Sequence, residues 1–155
     1  MTKEDIKILL VDDEKQFVDT LAERLAMRGF EARVAYDGPE ALKAVELPTD
    51  VIVLDLRMPG MDGFEVLRNV KKSNPQVQVI ILTGHGGDAE EQTAYRMGAY
   101  NFLRKPMDIE ELLSIRMAYR DKLENAMVAV SMAEGGDFEA ARDVLNEKDL
   151  LAEHK

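Results

Sequence analysis

There is no cysteine in these 155 residues, so disulfides, thiol chemistry and thiolate metal sites are excluded. Histidine is almost as scarce: His85 and His154 stand far apart, which argues against a histidine-built zinc site. No apolar run approaches the ~18 residues that a membrane span requires. The amino-terminal Met-Thr-Lys-Glu-Asp is too charged for a signal peptide, so a cytoplasmic protein is the expectation. Positive charge is in deficit, with 20 Lys and Arg against 30 Asp and Glu and a net charge of -10. Phosphates and anionic headgroups would be repelled, so neither nucleic acid nor a membrane is expected as a partner.

What is present centres on one stretch, Asp50-Val51-Ile52-Val53-Leu54-Asp55-Leu56-Arg57-Met58-Pro59-Gly60. A short, continuous, largely β-branched apolar run suits a strand buried on both faces, and the Pro-Gly beyond it signals that the strand has ended. Asp55 then sits at the carboxyl end of a central strand, where open α/β sheets place their ligands. Taken alone, it reads equally as a residue that caps a loop.

Similar runs recur. Ile6 to Val11, Gln78 to Thr83 and Ala99 to Leu103 read as buried strands, and Glu31 to Ala35 as a more exposed one. Between them the period changes to that of helices. Phe17, Leu21 and Leu25 share one face; Ala41, Leu42 and Val45 a second; Phe64, Leu67 and Val70 a third. A weaker helix covers roughly 88–97. Pro39 near a first helical position, Asp62-Gly63 at another helix start, and Gly29 and Gly98 as stops mark the boundaries. Strands alternating with helices over short loops predict βαβ units with right-handed crossovers: an α/β three-layer sandwich on a five-stranded parallel sheet.

In such a sheet the strand ends share one edge. That edge collects Asp12 and Asp13, then Asp55, Thr83 and Lys105. Crowded carboxylates tend to bind protons unless a cation compensates them. Oxygen donors alone suit a hard ion, Mg²⁺ or Mn²⁺, which would leave positions for phosphate oxygens. Lys105 adds a point charge for a phosphoryl group and Thr83 a hydroxyl donor. The chemistry this implies is attack by the Asp55 carboxylate on phosphorus, and without a strong general base the reaction is expected to be slow and self-limited.

The motifs Val11-Asp12-Asp13-Glu14, Asp55-Leu56-Arg57-Met58-Pro59-Gly60-Met61-Asp62-Gly63, Leu82-Thr83-Gly84 and Lys105-Pro106 resemble those of the receiver domain of bacterial response regulators, in order and spacing over about residues 5–120. The resemblance implies a flavodoxin-like, doubly wound sheet of order 2-1-3-4-5. It implies that Asp55 is the phosphoacceptor and that Asp12 and Asp13 hold Mg²⁺ with Asp55 and the backbone carbonyl of Arg57. Thr83 and Phe102 match the switch pair and Lys105 the site lysine, with a Lys105–Pro106 bond that is typically cis. A sensor histidine kinase or histidine phosphotransfer protein is then the partner. Phe102 departs from the tyrosine many members carry, which puts any output through that hydroxyl in doubt. Arg57 and His85 read equally as solvated loop residues.

Residues 1–121 are expected to form the receiver and 122–155 a helical extension. From Asp108 to Glu134 no Pro or Gly interrupts a stripe of Leu112, Ile115, Tyr119, Leu123, Ala126 and Val130, so the last helix is expected to run beyond the sandwich. Gly135-Gly136 then introduces a second helix with Phe138, Ala141, Val144 and Leu145, giving a hairpin. That hairpin serves either as packing or as a surface for homodimerisation or docking. The expected output is a switched protein–protein contact with an unidentified target and no DNA-binding part, the protein catalysing only its own phosphorylation and dephosphorylation. A phosphorelay intermediate is the alternative. A phosphatase with an Asp nucleophile is disfavoured, because Arg57 stands where its general acid would be.

Overall fold

In the computed structural model, residues 6–106, 108, 111 and 113–133 are described. The elements run β1 (Lys7–Val11), α1 (Lys15–Met27), β2 (Glu31–Ala35), α2 (Gly38–Ala44), β3 (Val51–Leu54), α3 (Gly63–Ser73), β4 (Gln78–Thr83), α4 (Asp88–Arg96), β5 (Asn101–Arg104) and α5 (Leu113–Ala133). All strand pairings are parallel, and the order is β2-β1-β3-β4-β5. The chain divides into two compact units, Met1–Tyr119 and Arg120–Lys155. Of the second, the described part is the remainder of α5. The expected hairpin beyond Gly135-Gly136 lies outside the described residues.

The period of two in a strand sends alternate side chains to opposite faces, and the two cores follow it. Leu9, Val11, Ile52, Leu54, Val79 and Ile81 face one side, with Ala41 of α2, Val66, Leu67 and Val70 of α3 and Ala94 of α4. Ile8, Leu10, Val51, Val53, Ile80 and Leu82 face the other, with Val18, Leu21 and Leu25 of α1 and Ile115 and Ala118 of α5. Every residue of β3 is buried, which is why its sequence is a continuous apolar run rather than an alternation. β2, at the sheet edge, keeps its middle residues half-exposed.

The helix starts are fixed by side chains that satisfy amides having no partner within the helix. Asp37 accepts from the Glu40 N–H at 2.8 Å, and Asp62 accepts from the Glu65 N–H at 3.0 Å. Pro39 lies in the first turn of α2. Gly98 ends α4 at φ +102°, a conformation that favours glycine. α1 and α3 present the expected faces to the core, with Phe17 and Phe64 packed at the edges of those faces and Val18 and Val66 filling their centres. Val18 rather than Phe17, and Val66 as well as Leu67 and Val70, are the buried residues. Phe17 and Phe64 are only half-buried.

Gly63 sets the approach of α3 to β3. Its N–H donates to the Leu56 carbonyl at 2.8 Å. A Cβ there would fall on the Asp55 carbonyl oxygen and 2.6 Å from the Leu56 Cα. The loop between Asp55 and α3 can therefore close this tightly only over a residue without a side chain.

Candidate functional site

The parallel register brings the strand ends together. Val11 pairs with Leu54, Leu54 with Ile81, and Thr83 with Arg104. Asp12, Asp55, Thr83 and Lys105 follow from or end those strands. Asp55 continues β3 by donating its N–H to the Val11 carbonyl at 2.9 Å, and Asp12 continues β1 by donating to the Ala35 carbonyl at 3.1 Å. Lys105 donates its N–H to the Thr83 carbonyl at 3.0 Å, after which comes the cis Lys105–Pro106 bond.

Carboxylate oxygens of Asp12, Asp13 and Asp55 lie within 4.8 Å of one another. Asp12 and Asp55 are each only 3% exposed. Asp12 Oδ1 accepts from the Glu14 N–H at 2.9 Å, which turns the side chain into the pocket and shapes the entry to α1. The Lys105 ammonium lies 2.7 Å from Asp12 Oδ2, 3.4 Å from Glu14 Oε1 and 4.0 Å from Asp55 Oδ2. It also sits 4.3 Å from the centroid of the Phe17 ring.

Burial raises the pKa of Asp55, and the neighbouring charge of Asp12 raises it further; the charge of Lys105 and the Arg57 amide oppose the rise. Asp12 is likewise pushed up by burial, against the hydrogen bond from Lys105. Burial disfavours the charge on Lys105, but the hydrogen bond and charge of Asp12 and the charges of Asp55 and Glu14 outweigh it and leave its pKa above the usual value. One positive charge among three carboxylates leaves the pocket negative, the condition for holding a further cation.

Asp55 Oδ1 is buried and has no hydrogen-bond partner. Buried polar atoms are rarely left so. Together with two further carboxylates and no nitrogen or sulfur donor, this orphaned oxygen fits a hard divalent cation. The Arg57 side chain is exposed and leaves the pocket to the carboxylates.

Thr83 is buried, and its hydroxyl belongs to the loop. It donates to the His85 carbonyl at 2.9 Å and accepts from the His85 N–H at 3.1 Å. Phe102 is 6% exposed. A Cβ on Gly86 would lie 3.0 Å from Phe102 Cζ and 3.3 Å from Thr83 Cγ2, so the ring, the threonine methyl and the glycine share one packed corner. The Phe102 N–H is shared between the Tyr95 hydroxyl at 3.1 Å and Asn101 Oδ1 at 2.8 Å. Asn101 also donates to the Ser114 hydroxyl at 2.9 Å. Arg104 pairs with Asp88 and Glu91 of α4, at 3.7 and 3.6 Å.

Every residue singled out by the strand-end reasoning is thus at this edge or beside it. Two neighbours of Lys105 were not singled out. Glu14 was read only as the last of three acids. Phe17, one helical turn before Leu21, packs against the core as its spacing predicts, and its half-buried ring also lies under the ammonium.

The response regulator receiver domain model matches residues 8–117. The response regulator MprA of Mycobacterium ulcerans is 34% identical over 131 residues, 83% of this chain and 56% of that protein. The DNA-binding transcriptional regulator NtrC of Escherichia coli is 37% identical over 109 residues, 70% of this chain and 23% of that protein. The chain therefore spans about half, or less, of the length of these curated relatives. A response regulator receiver domain protein from Clostridium thermocellum superposes with a TM-score of 0.72 at 35% identity, covering 76% of this chain and 96% of that one. The CheY-like receiver domain protein of Methanospirillum hungatei gives 0.74 at 25% identity, covering 79% and 99%. The acidic edge of a 2-1-3-4-5 sheet and a family match over most of the chain lead to one conclusion: this chain belongs to the response regulator receiver domain family.

Proposed function

We propose that the chain is phosphorylated on Asp55 in a Mg²⁺-dependent reaction, with a histidine kinase or histidine phosphotransfer protein as donor, and that this switches its protein–protein contacts. The observation that carries the reading is the unpartnered, buried Asp55 Oδ1 beside two carboxylates and an ammonium. Asp12, Asp13, Asp55 and the backbone carbonyl of Arg57 would hold the ion. Bound there, it would neutralise carboxylate and phosphoryl oxygens.

An Asp55 oxygen attacks phosphorus, the new O–P bond forms, and the P–N bond to the donor imidazole breaks. The imidazole nitrogen keeps the electron pair and is reprotonated from solvent. Phosphoryl transfer asks mainly for positioning and charge neutralisation. Lys105, already within 4.0 Å of Asp55, supplies positive charge. Thr83 supplies a hydroxyl once it leaves the His85 backbone, and the two hydrogen bonds to that backbone make this movement a movement of the β4–α4 loop. Phe102 is already buried, so the change needs a repacking of the Thr83–Gly86–Phe102 corner rather than entry of the ring from solvent. The phosphoryl group has only to favour one of two existing arrangements.

The output we propose is a contact with a protein, the chain acting on no substrate but its own phosphoryl group. The acidic composition supports a protein rather than a nucleic acid target. The DNA binding in NtrC's name is said of that protein, of which 23% is matched. Among the described residues no helix is long and apolar enough to cross a membrane.

The test is incubation with acetyl phosphate and Mg²⁺, read by intact mass. One phosphoryl group is expected on the wild type, none on Asp55→Asn, and none when EDTA replaces Mg²⁺. Modification that persists in Asp55→Asn would overturn the assignment.

A further inference from the structure

Among the described residues, the ammonium of Lys105 has four charged or aromatic neighbours, and three of them are acids. Asp12, at 2.7 Å, makes the short contact, but in the proposed function it is also a metal ligand and cannot serve Lys105 alone. Glu14, at 3.4 Å, has a side chain 60% exposed, so water screens that pair and little energy holds it. Asp55, at 4.0 Å, is the group to be modified. The fourth neighbour neither titrates nor binds metal: the face of Phe17, 4.3 Å from the ammonium.

The distance lies well inside the ~6 Å over which a cation is drawn to an aromatic face. The Lys105 side chain is only 12% exposed, and desolvation strengthens such an attraction. Phe17 also borders the same small cavity as Asp12 and Asp55. Its ring is not among the residues that α1 buries against the sheet, which are Val18, Leu21 and Leu25. Phe17 is half-buried and also packs against the core that α1 covers, so its ring bridges that core and the pocket.

We propose that Phe17 is a positioning residue. Its ring holds the Lys105 ammonium over the pocket and so sets the strength with which the chain grips a phosphoryl group on Asp55. The proposal rests on the phosphoacceptor reading, and its first measurement is chosen to stand without it.

That measurement is the NMR shift of the Lys105 Hε protons in the full chain with no phosphoryl analogue added. A ring face at this distance shifts them upfield. The upfield shift should disappear in Phe17→Leu and persist in Phe17→Trp. Unshifted Lys105 Hε protons in the wild type overturn the proposal whether or not Asp55 accepts a phosphoryl group.

The second measurement is binding of beryllofluoride with Mg²⁺. Phe17→Leu should weaken it by about 3- to 10-fold, as loss of one partly desolvated cation–π contact implies, and Phe17→Trp should keep it. In a Lys105→Met background Phe17→Leu should change nothing further, because the ring acts through the ammonium. Ring fluorination at position 17, which drains the face of charge at nearly constant size, should weaken binding stepwise with each fluorine. Equal losses in Phe17→Leu and Phe17→Trp, a loss that persists in Lys105→Met, or indifference to fluorination would show that the ring only packs. A wild type that does not bind beryllofluoride, with the Hε protons still upfield, would count against the phosphoacceptor reading and leave the ring–ammonium pairing in place.

Discussion

Replacing Asp55 with asparagine should stabilise the fold at neutral pH when no divalent cation is present. Asp55 is 3% exposed, so its charge is poorly screened. At an effective dielectric of ~20, a charge within 4.8 Å of the Asp12 carboxylate is repelled by at least about 3.5 kcal/mol, and Lys105 at 4.0 Å attracts it by about 4 kcal/mol. The attraction does not outweigh the repulsion. What remains is the cost of burying a carboxylate whose Oδ1 has no partner, and burial is the leading cause of the raised pKa. Asparagine keeps the shape without the charge. The expected gain is about 1–2 kcal/mol, a rise of roughly 2–8 °C in Tm for a chain of this size.

The sign of the pH dependence follows from the raised pKa. A carboxyl that holds its proton more tightly in the fold than in the unfolded chain destabilises the fold wherever it must ionise. The wild type should therefore recover stability as pH falls from neutral through the folded pKa of Asp55. The advantage of Asp55→Asn should shrink over the same range and vanish below about pH 4, the unfolded value. Thermal melts by circular dichroism in EDTA, from pH 7.5 to 4, read this directly. With Mg²⁺ the wild type should gain more than the variant, as expected for a ligand that binds the folded state through this carboxylate. A variant less stable than the wild type in EDTA, or an advantage that does not change with pH, would refute the reasoning.

Lys105→Met removes the one ammonium that, among the described residues, faces these carboxylates. With partners only 5% and 4% exposed, it should destabilise by about 3–5 kcal/mol at neutral pH and by less as the acids protonate, in the same melts. Gly63→Ala must push α3 away from the Asp55 carbonyl and the Leu56 backbone. It should cost more than the ~1 kcal/mol typical of substitutions in urea titration and slow acetyl phosphate modification as well. Leu67→Ala, in a fully buried position on α3, should cost about 2–5 kcal/mol and leave the extent of modification of the folded protein unchanged. Loss of modification at full folding would show that the core and the site are more tightly coupled than their separation in the fold implies.

The sequence by itself determined the sheet and its edge. Strands buried on both faces must be short apolar runs, helices covering them must be amphipathic, and parallel pairing then leaves Asp12, Asp55, Thr83 and Lys105 on one side. Pro39 and Asp62-Gly63 could be read as helix starts, because proline's missing N–H costs nothing in a first turn and aspartate accepts well from an unpaired amide. Which residue of α1 and α3 lies deepest was not legible. Phe17, Val18, Leu21 and Leu25 satisfy a helical spacing whether Phe17 or Val18 is the deeper, and in the fold Val18 is buried while Phe17 packs at the edge of the same core. Tertiary structure also decided where flexible groups settle. Lys105 reaches across to Asp12 more closely than to Asp55, the Thr83 hydroxyl turns to the His85 backbone, and Phe102 lies buried beside Gly86. Such choices depend on competing partners a few ångströms apart in space and up to 93 positions apart in sequence, as Asp12 and Lys105 are. Local spacing carries no record of that competition, and packing resolves it.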